Sequence, residues 1–291
     1  MIKKILHSTI AKIIIGFVVI IAVNEPLLGL LSYFFRLGQV IPIVRYTVIP
    51  IIIITFILTS YIVIYRYLEK RKITEISTHN IGKYLLFGLL LGLLVPSLSI
   101  LVAYLRGEYI ILSISNLTDI FLRDLTISIS FGIAGAVFEE VLFRGVLFRL
   151  IEEKLGSYIA LIISSLIFGF LHLMNGNGSL FTGVAISIIS IILTAAYMYT
   201  RNLWFPIAIH FAWNFAERDI FGTVVSGGDP VSTSIIVSQL EGSEWFTGGA
   251  WGIEASVQIV VFSLMAGIIL LVLSHRKGNI IKQQVFKIKT E

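Results

Sequence analysis

Apolar residues along this chain come in long unbroken blocks. They do not alternate as in a half-buried strand, nor recur as the stripe of an amphipathic helix. Eight blocks stand out, at about 13–35, 47–65, 84–104, 125–149, 158–173, 180–199, 203–215 and 257–273. Crossing the hydrocarbon core of a bilayer takes ~20 apolar residues in a helix, and several blocks reach that length. Backbone polar groups in lipid must be satisfied within the segment, so such blocks are helical. The pattern therefore predicts an all-α polytopic membrane protein of about eight transmembrane helices, forming a single transmembrane domain over 1–291. The block at 203–215 is short, and either extends past Ala216 or is a half-buried helix. Loop signals separate the blocks: Lys70-Arg71-Lys72, Asn175-Gly176-Asn177-Gly178-Ser179, and a long stretch from Glu217 to Ser256. Gly88 and Gly92 are spaced for a close helix–helix contact. Pro96 is expected to kink its helix. No internal repeat of the kind found in many secondary transporters is visible.

Composition agrees. Hydrophobic residues make up 57% and charged residues 13% of the 291 positions, against about 25% charged in an ordinary soluble domain. The net charge of +5 is unevenly placed. With eight spans, 16 of the 22 Lys and Arg residues fall on the side that holds both termini. Arg36, Arg45, Arg106, Arg123 and Arg218 fall on the other side, and Arg144 lies inside a span. The positive-inside rule then places both termini in the cytoplasm and the 217–256 loop outside. Such an asymmetry addresses a membrane surface, so no nucleic-acid partner is expected. Lys3, Lys4 and Lys12 precede the first block as in a signal peptide, but the block is too long for one, and a retained helix is expected. The absence of cysteine excludes disulfides, thiolate metal ligands and a cysteine nucleophile. The glycosylation sequon Asn116-Leu117-Thr118 matters only in a eukaryotic secretory host.

Charges inside the spans are the anomaly, since each costs roughly 2.5–3.5 kcal/mol on insertion scales. The fourth block contains Glu139, Glu140 and Arg144. Glu140 and Arg144 are four apart and can pair on one helix face. Glu139 is turned by about 100° from Glu140 and needs another partner. An ion-paired packing device accounts for Glu140 and Arg144 but leaves Glu139 over. The fifth block carries Phe168 and His172, and the seventh carries His210 and Asn214, also four apart. A lone histidine in an apolar helix is usually a satisfied core residue; two on separate helices, one matched by an asparagine, are less ordinary. His7, His79 and His275 sit at termini or in a basic loop and read as solvated. A carboxylate and an imidazole can hold a water and remove its proton. Two fixed donors facing a tetrahedral intermediate form an oxyanion hole. Glu139, His172, His210 and Asn214 thus suit peptide hydrolysis without a covalent intermediate. His-Glu-x-x-His and Gly-x-Ser-x-Gly are absent. The nearest Gly-Asp dipeptide, Gly228-Asp229, stands in the outer loop before Pro230 and makes a poor intramembrane aspartate.

Together these residues resemble the CPBP family of CAAX proteases and bacteriocin-processing proteins. Its motifs stand here as Glu139-Glu140-x-x-x-Arg144, Phe168-x-x-x-His172 and His210-x-x-x-Asn214, in family order, within a motif core at 125–215. Gly248-Gly249-Ala250-Trp251-Gly252-Ile253-Glu254 also resembles bacterial members, without a chemistry attached. The resemblance implies an eight-span helical fold with an intramembrane polar cavity, and an intramembrane endopeptidase acting on a membrane-embedded or lipid-anchored protein or peptide. It assigns water activation to Glu139 and His172, oxyanion stabilisation to His210 and Asn214, and support to Glu140 and Arg144. The favoured mechanism requires no cofactor, although Glu139, His172 and His210 could hold zinc with a water. Competing readings are a non-catalytic membrane partner such as a bacteriocin-immunity protein, and an ion-coupled transporter. Straight spans would leave Glu139, His172 and His210 at unequal depths, ~15, ~22 and ~12 Å from the cytoplasmic ends. Their convergence therefore requires tilt, or a fifth helix that begins below the membrane surface.

Overall fold

A computed structural model of the chain describes residues 8–36, 44–116, 118–228 and 233–282. Lys3, Lys4, His7, Leu117, the Asp229-Pro230 pair and the tail residues Lys287 and Lys289 lie outside the described residues. Helix α1 spans Thr9–Arg36, and α2 spans Ile49–Glu69 after a π-helical turn at Val44–Val48. Helix α3 is Ile81–Leu105, and α4 is Asp119–Glu140. The latter continues without a break through a π-helical stretch, Val141–Phe148, into α5, Arg149–Leu155. Helix α6 is Ser157–Leu171, ending in a 3-10 turn at His172–Met174, and α7 is Leu180–Thr200. Helix α8 is Trp204–Phe215, prolonged by a π-helical turn at Ala216–Ile220. A short α9, Glu244–Thr247, precedes α10, Val257–Arg276. Among the described residues six helical stretches are long and apolar enough to cross a membrane: Tyr46–Glu69, Ile81–Leu105, Phe121–Leu155, Ser157–Met174, Leu180–Thr200 and Val257–Arg276. The chain is an integral membrane protein. Helix α1 has 28 residues; α8, with 12, is the short member, as its sequence block implied.

Local chemistry sets the helix ends. Pro50 starts α2, where its missing N–H costs nothing, and Lys70 closes that helix in the left-handed conformation at φ 53°. Thr118 caps α4 by accepting from the Phe121 N–H, and Ser179 caps α7 through a reciprocal exchange with Thr182. Helix α7 is the hub of the bundle, with 72% of its most apolar stretch buried against 28–39% in the other five. The outer faces of α3, α6 and α10 present Leu86, Phe87, Leu90, Ile162, Ile268 and Ile269, all exposed. In a bilayer these faces meet lipid tails.

Two glycine contacts position the polar residues. A Cβ on Gly88 would stand 2.6 Å from Ala208 Cβ, and one on Gly92 2.3 Å from the Ile209 carbonyl. Bare backbone at these positions lets α8 lie directly on α3, running parallel to it. Gly88 is seven residues into α3, whereas Ala208 is four into α8. Helix α8 therefore begins about a turn deeper than α3. A Cβ on Gly169 would strike Ser187 Oγ and the Gly183 carbonyl, so α6 packs equally closely on α7. Pro96 sits inside an unbroken α3.

The two ends of the bundle differ. At one end Glu69 pairs with Lys12, Arg71 and Arg149 at 3.2, 2.7 and 2.9 Å. Nearby Glu152 accepts from Arg201, and the Leu203 N–H donates to the Glu75 carbonyl. At the other end the loops join in a small antiparallel sheet, β1 (Tyr109–Ile114) with β2 (Ile236–Leu240), pairing Tyr109 with Leu240 and Ile114 with Ile236. This sheet is an addition to the all-helical expectation and leaves the helical class intact.

Candidate active site

The last residues of α4 carry Glu139 and Glu140, and the chain turns π-helical directly after them. Glu140 is fully enclosed. Its Oε1 accepts from Arg144 Nη1 at 2.8 Å, as the four-residue spacing implied, and from His210 Nδ1, also at 2.8 Å. Arg144 is itself 1% exposed and is held from α7, where Nη2 donates to Ser190 Oγ at 2.6 Å and Nε to Thr194 Oγ1 at 3.3 Å. Its guanidinium carbon lies 4.7 Å from the centre of the Phe168 ring. Phe168 also serves the next motif residue, because its carbonyl accepts from His172 Nδ1 at 2.8 Å.

These partners fix both imidazoles. A carbonyl and a carboxylate oxygen only accept, so the Nδ1 atoms of His172 and His210 carry hydrogen and their Nε2 atoms are left facing inward. Both Nε2 atoms point to the same place: Glu139 Oε2 is 3.8 Å from that of His172 and 4.0 Å from that of His210. These separations exceed a direct hydrogen bond and suit a small molecule between the groups. Oε2 has no hydrogen-bond partner, while the Glu139 side chain as a whole is 32% exposed. The different partner that its rotation from Glu140 called for is thus the histidine pair. Asn214, one turn after His210 on α8, lines the same narrow recess as His172 and His210. The recess encloses about 20 Å³, room for about one water. Ser226 and Glu254, from the stretch between α8 and α10, complete its wall, with Glu254 Oε2 accepting from both the N–H and the hydroxyl of Ser226 at 2.8 Å. Asn214 also lines a second, larger cavity of about 560 Å³ between α4 and α8.

All six residues singled out in the sequence therefore lie in one connected constellation. Two features narrow the unequal depths. The α4–α5 rod ends at Leu155 instead of 149, which puts Glu139 sixteen residues from its end, and α8 starts deeper than α3. Sequence reasoning missed Ser190 and Thr194, although two polar residues four apart in an apolar span were a readable signal. It also missed Ser226 and Glu254, which only tertiary structure brings to the recess.

Residues 121–216, a third of the chain, match the family described as type II CAAX prenyl endopeptidase Rce1-like. Over this core the chain is similar to that family. The limits of the match nearly coincide with the motif core at 125–215. A Bacillus subtilis (strain 168) protein named as a membrane peptidase, YdiL, is 33% identical over 85 residues, which is 28% of this chain and 32% of the relative's own length. The chain thus aligns with about a third of that curated relative. No solved structure matches it.

Proposed function

We propose that this protein is an intramembrane endopeptidase in which Glu139 and His172 activate a water and His210 and Asn214 receive the oxyanion. The observation that carries the reading is the convergence of two imidazole Nε2 atoms on one unpartnered carboxylate oxygen, at 3.8 and 4.0 Å. A water between them gives a proton to Glu139 as its oxygen attacks the peptide carbonyl. The oxyanion that forms is met by the Asn214 carboxamide and by His210 Nε2–H. His210 donates from both nitrogens in its imidazolium form, with Glu140 as counter-ion and Arg144 holding Glu140 in place. Glu139 then passes its proton to the departing nitrogen as the C–N bond breaks.

Zinc is the competing way to activate the water. Two ligands of one tetrahedral zinc at 2.0–2.1 Å each stand roughly 3.4 Å apart, less than the 3.8 and 4.0 Å observed. Among the described residues no cluster of three His, Cys, Asp or Glu side chains has metal-holding geometry. This donor spacing favours the metal-free reading. The substrate is a membrane-embedded or lipid-anchored protein or peptide, and the basic termini lie in the cytoplasm, which a C-terminal topology reporter checks. The function is tested by comparing the proteome of membranes containing the wild type with that of membranes containing Glu139→Gln. Fragments made only by the wild type are expected, and their absence overturns the assignment.

A further inference from the structure

The larger cavity lies beside the recess and shares Asn214 with it. Its α4 wall includes Asp124, Ser128, Phe131 and Gly132, and its α8 wall includes Phe211, Phe215 and Arg218. The cavity reaches the sheet end of the bundle. There Thr233 donates to Asp124 Oδ2, Ser128 donates to Asp219 Oδ2, and the Ile235 N–H donates to the Asp219 carbonyl. The ion-paired cluster of Glu69, Arg71 and Arg149 occupies the opposite end.

Ser128, Gly132, Gly135 and Glu139 are spaced by four, three and four residues, so they share one face of α4. Ser128 and Gly132 line the cavity, and Gly135 and Glu139 continue the same face beyond it. The two glycines on that face differ from Gly88, Gly92 and Gly169, which helix packing demands. A Cβ on Gly135 would meet nothing within 4 Å, and one on Gly132 would meet only the Phe211 ring, at an ordinary 3.5 Å. Glycine inside a helix costs about 1 kcal/mol relative to alanine, and no neighbour in the fold accounts for that cost at Gly135. The cavity volume of about 560 Å³ is far beyond the single water that fits the recess. Its walls combine the apolar side chains of Ile127, Phe131, Phe211, Phe215 and Val225 with polar ones: Asp124, Ser128, Arg218, Asp219 and Thr233, and Asn214 beside the recess.

Resting on the peptidase reading, we propose that this cavity is the substrate channel: an extended peptide segment enters from the sheet end, lies along the Ser128–Gly132–Gly135 face of α4, and presents its scissile bond to Glu139. Combined with cytoplasmic termini, this places substrate entry on the side of the membrane away from the cytoplasm. Gly135 is the residue that leaves room for the peptide one turn before Glu139.

The chain has no cysteine, so single substitutions can be read without background. Ser128→Cys, Gly132→Cys and Gly135→Cys are made in sealed vesicles of known orientation and exposed to a membrane-impermeant thiol reagent from either side. Ala136→Cys is the buried control, since Ala136 is 2% exposed. The expected result is labelling of all three channel positions from the sheet side, a rate that falls from 128 to 135, and none at 136. A substrate-derived peptide, once proteomics supplies one, should slow labelling of Gly132→Cys and Gly135→Cys. Labelling from the terminus side alone, or none at 132 and 135, overturns the channel. This readout needs no cleavage, so an inactive protein with labelled channel positions refutes the peptidase reading and not the cavity's accessibility.

Discussion

Replacing Arg144 with alanine tests the buried ion pair that underlies the site. Arg144 and Glu140 are 1% and 0% exposed and meet at 2.8 Å. The guanidinium also binds the Ser190 carbonyl and hydroxyl, at 3.1 and 2.6 Å, and Thr194 at 3.3 Å. Arg144→Ala removes all of these and strands a buried carboxylate. Removing one partner of such a pair costs about 3–5 kcal/mol. His210 still donates to Glu140, which places the loss near the lower bound, about 3 kcal/mol, or roughly a hundredfold in the folding equilibrium. The two hydroxyls add little, since each can turn to a carbonyl one turn back on α7. The assay is denaturant unfolding of purified protein in detergent, with cleavage measured alongside. The double change Glu140→Gln with Arg144→Met leaves no charge to strand, and the methionine stem fills much of the arginine's space. It should recover part of the lost stability without restoring activity, because His210 then lacks its anionic counter-ion. A double variant no more stable than Arg144→Ala alone would refute the pairing as the source of the cost.

Three further outcomes follow from particular contacts. Asn214→Ala should lower kcat by ~10²–10³ with KM nearly unchanged, as expected for one oxyanion donor; a change confined to KM would move Asn214 from the reaction to substrate binding. Gly135→Leu should leave thermal stability unchanged or raised, because leucine is the better helix former by about 1 kcal/mol, while cleavage falls at least ~10-fold; full activity would show that nothing passes that face. Glu75, in the loop between α2 and α3, would be pushed up by burial, but its hydrogen bonds to Arg71 and that residue's charge outweigh burial and hold the carboxyl below its usual 4.5. A depressed folded value stabilises above the unfolded one and is lost as pH falls through it. Unfolding measured from pH 6 downward should therefore show stability dropping below about pH 4.5, with a shallower drop in Glu75→Gln; equal slopes would remove Glu75 from the acid response.

The apolar blocks marked the helices because a lipid-facing helix must be apolar over its whole length, and the three motifs marked the candidate site because charge in such helices is costly without a partner. What escaped was set by tertiary pairing. The fourth block seemed to end at 149 because Arg149, Glu152 and Glu153 follow. Yet Arg149 is 6% exposed and bound to Glu69, and Glu152 is 2% exposed, so the helix runs on to Leu155 with these two charges turned inward. The β1–β2 sheet joins strands over 120 residues apart, a separation at which local pattern says nothing. Gly248–Glu254 had no chemistry in the sequence. In the structure it carries Glu254 to the recess wall, where Ser226 fixes it. Glycine likewise reads the same at Gly88, where packing demands it, and at Gly135, where open space surrounds it.

The claim that water is activated by Glu139 and His172 without a metal is tested most directly by one measurement on purified protein: cleavage after exhaustive chelation, with elemental analysis of the same sample. The account predicts that the chelated wild type remains active with no stoichiometric metal, and that Glu139→Gln, assayed in parallel, loses ~10²–10⁴ in rate while still binding substrate. Complete loss on chelation, restored only by added zinc, together with loss of bound metal in His172→Ala and His210→Ala, would contradict it and make Glu139 a metal ligand or the base beside a metal-bound water.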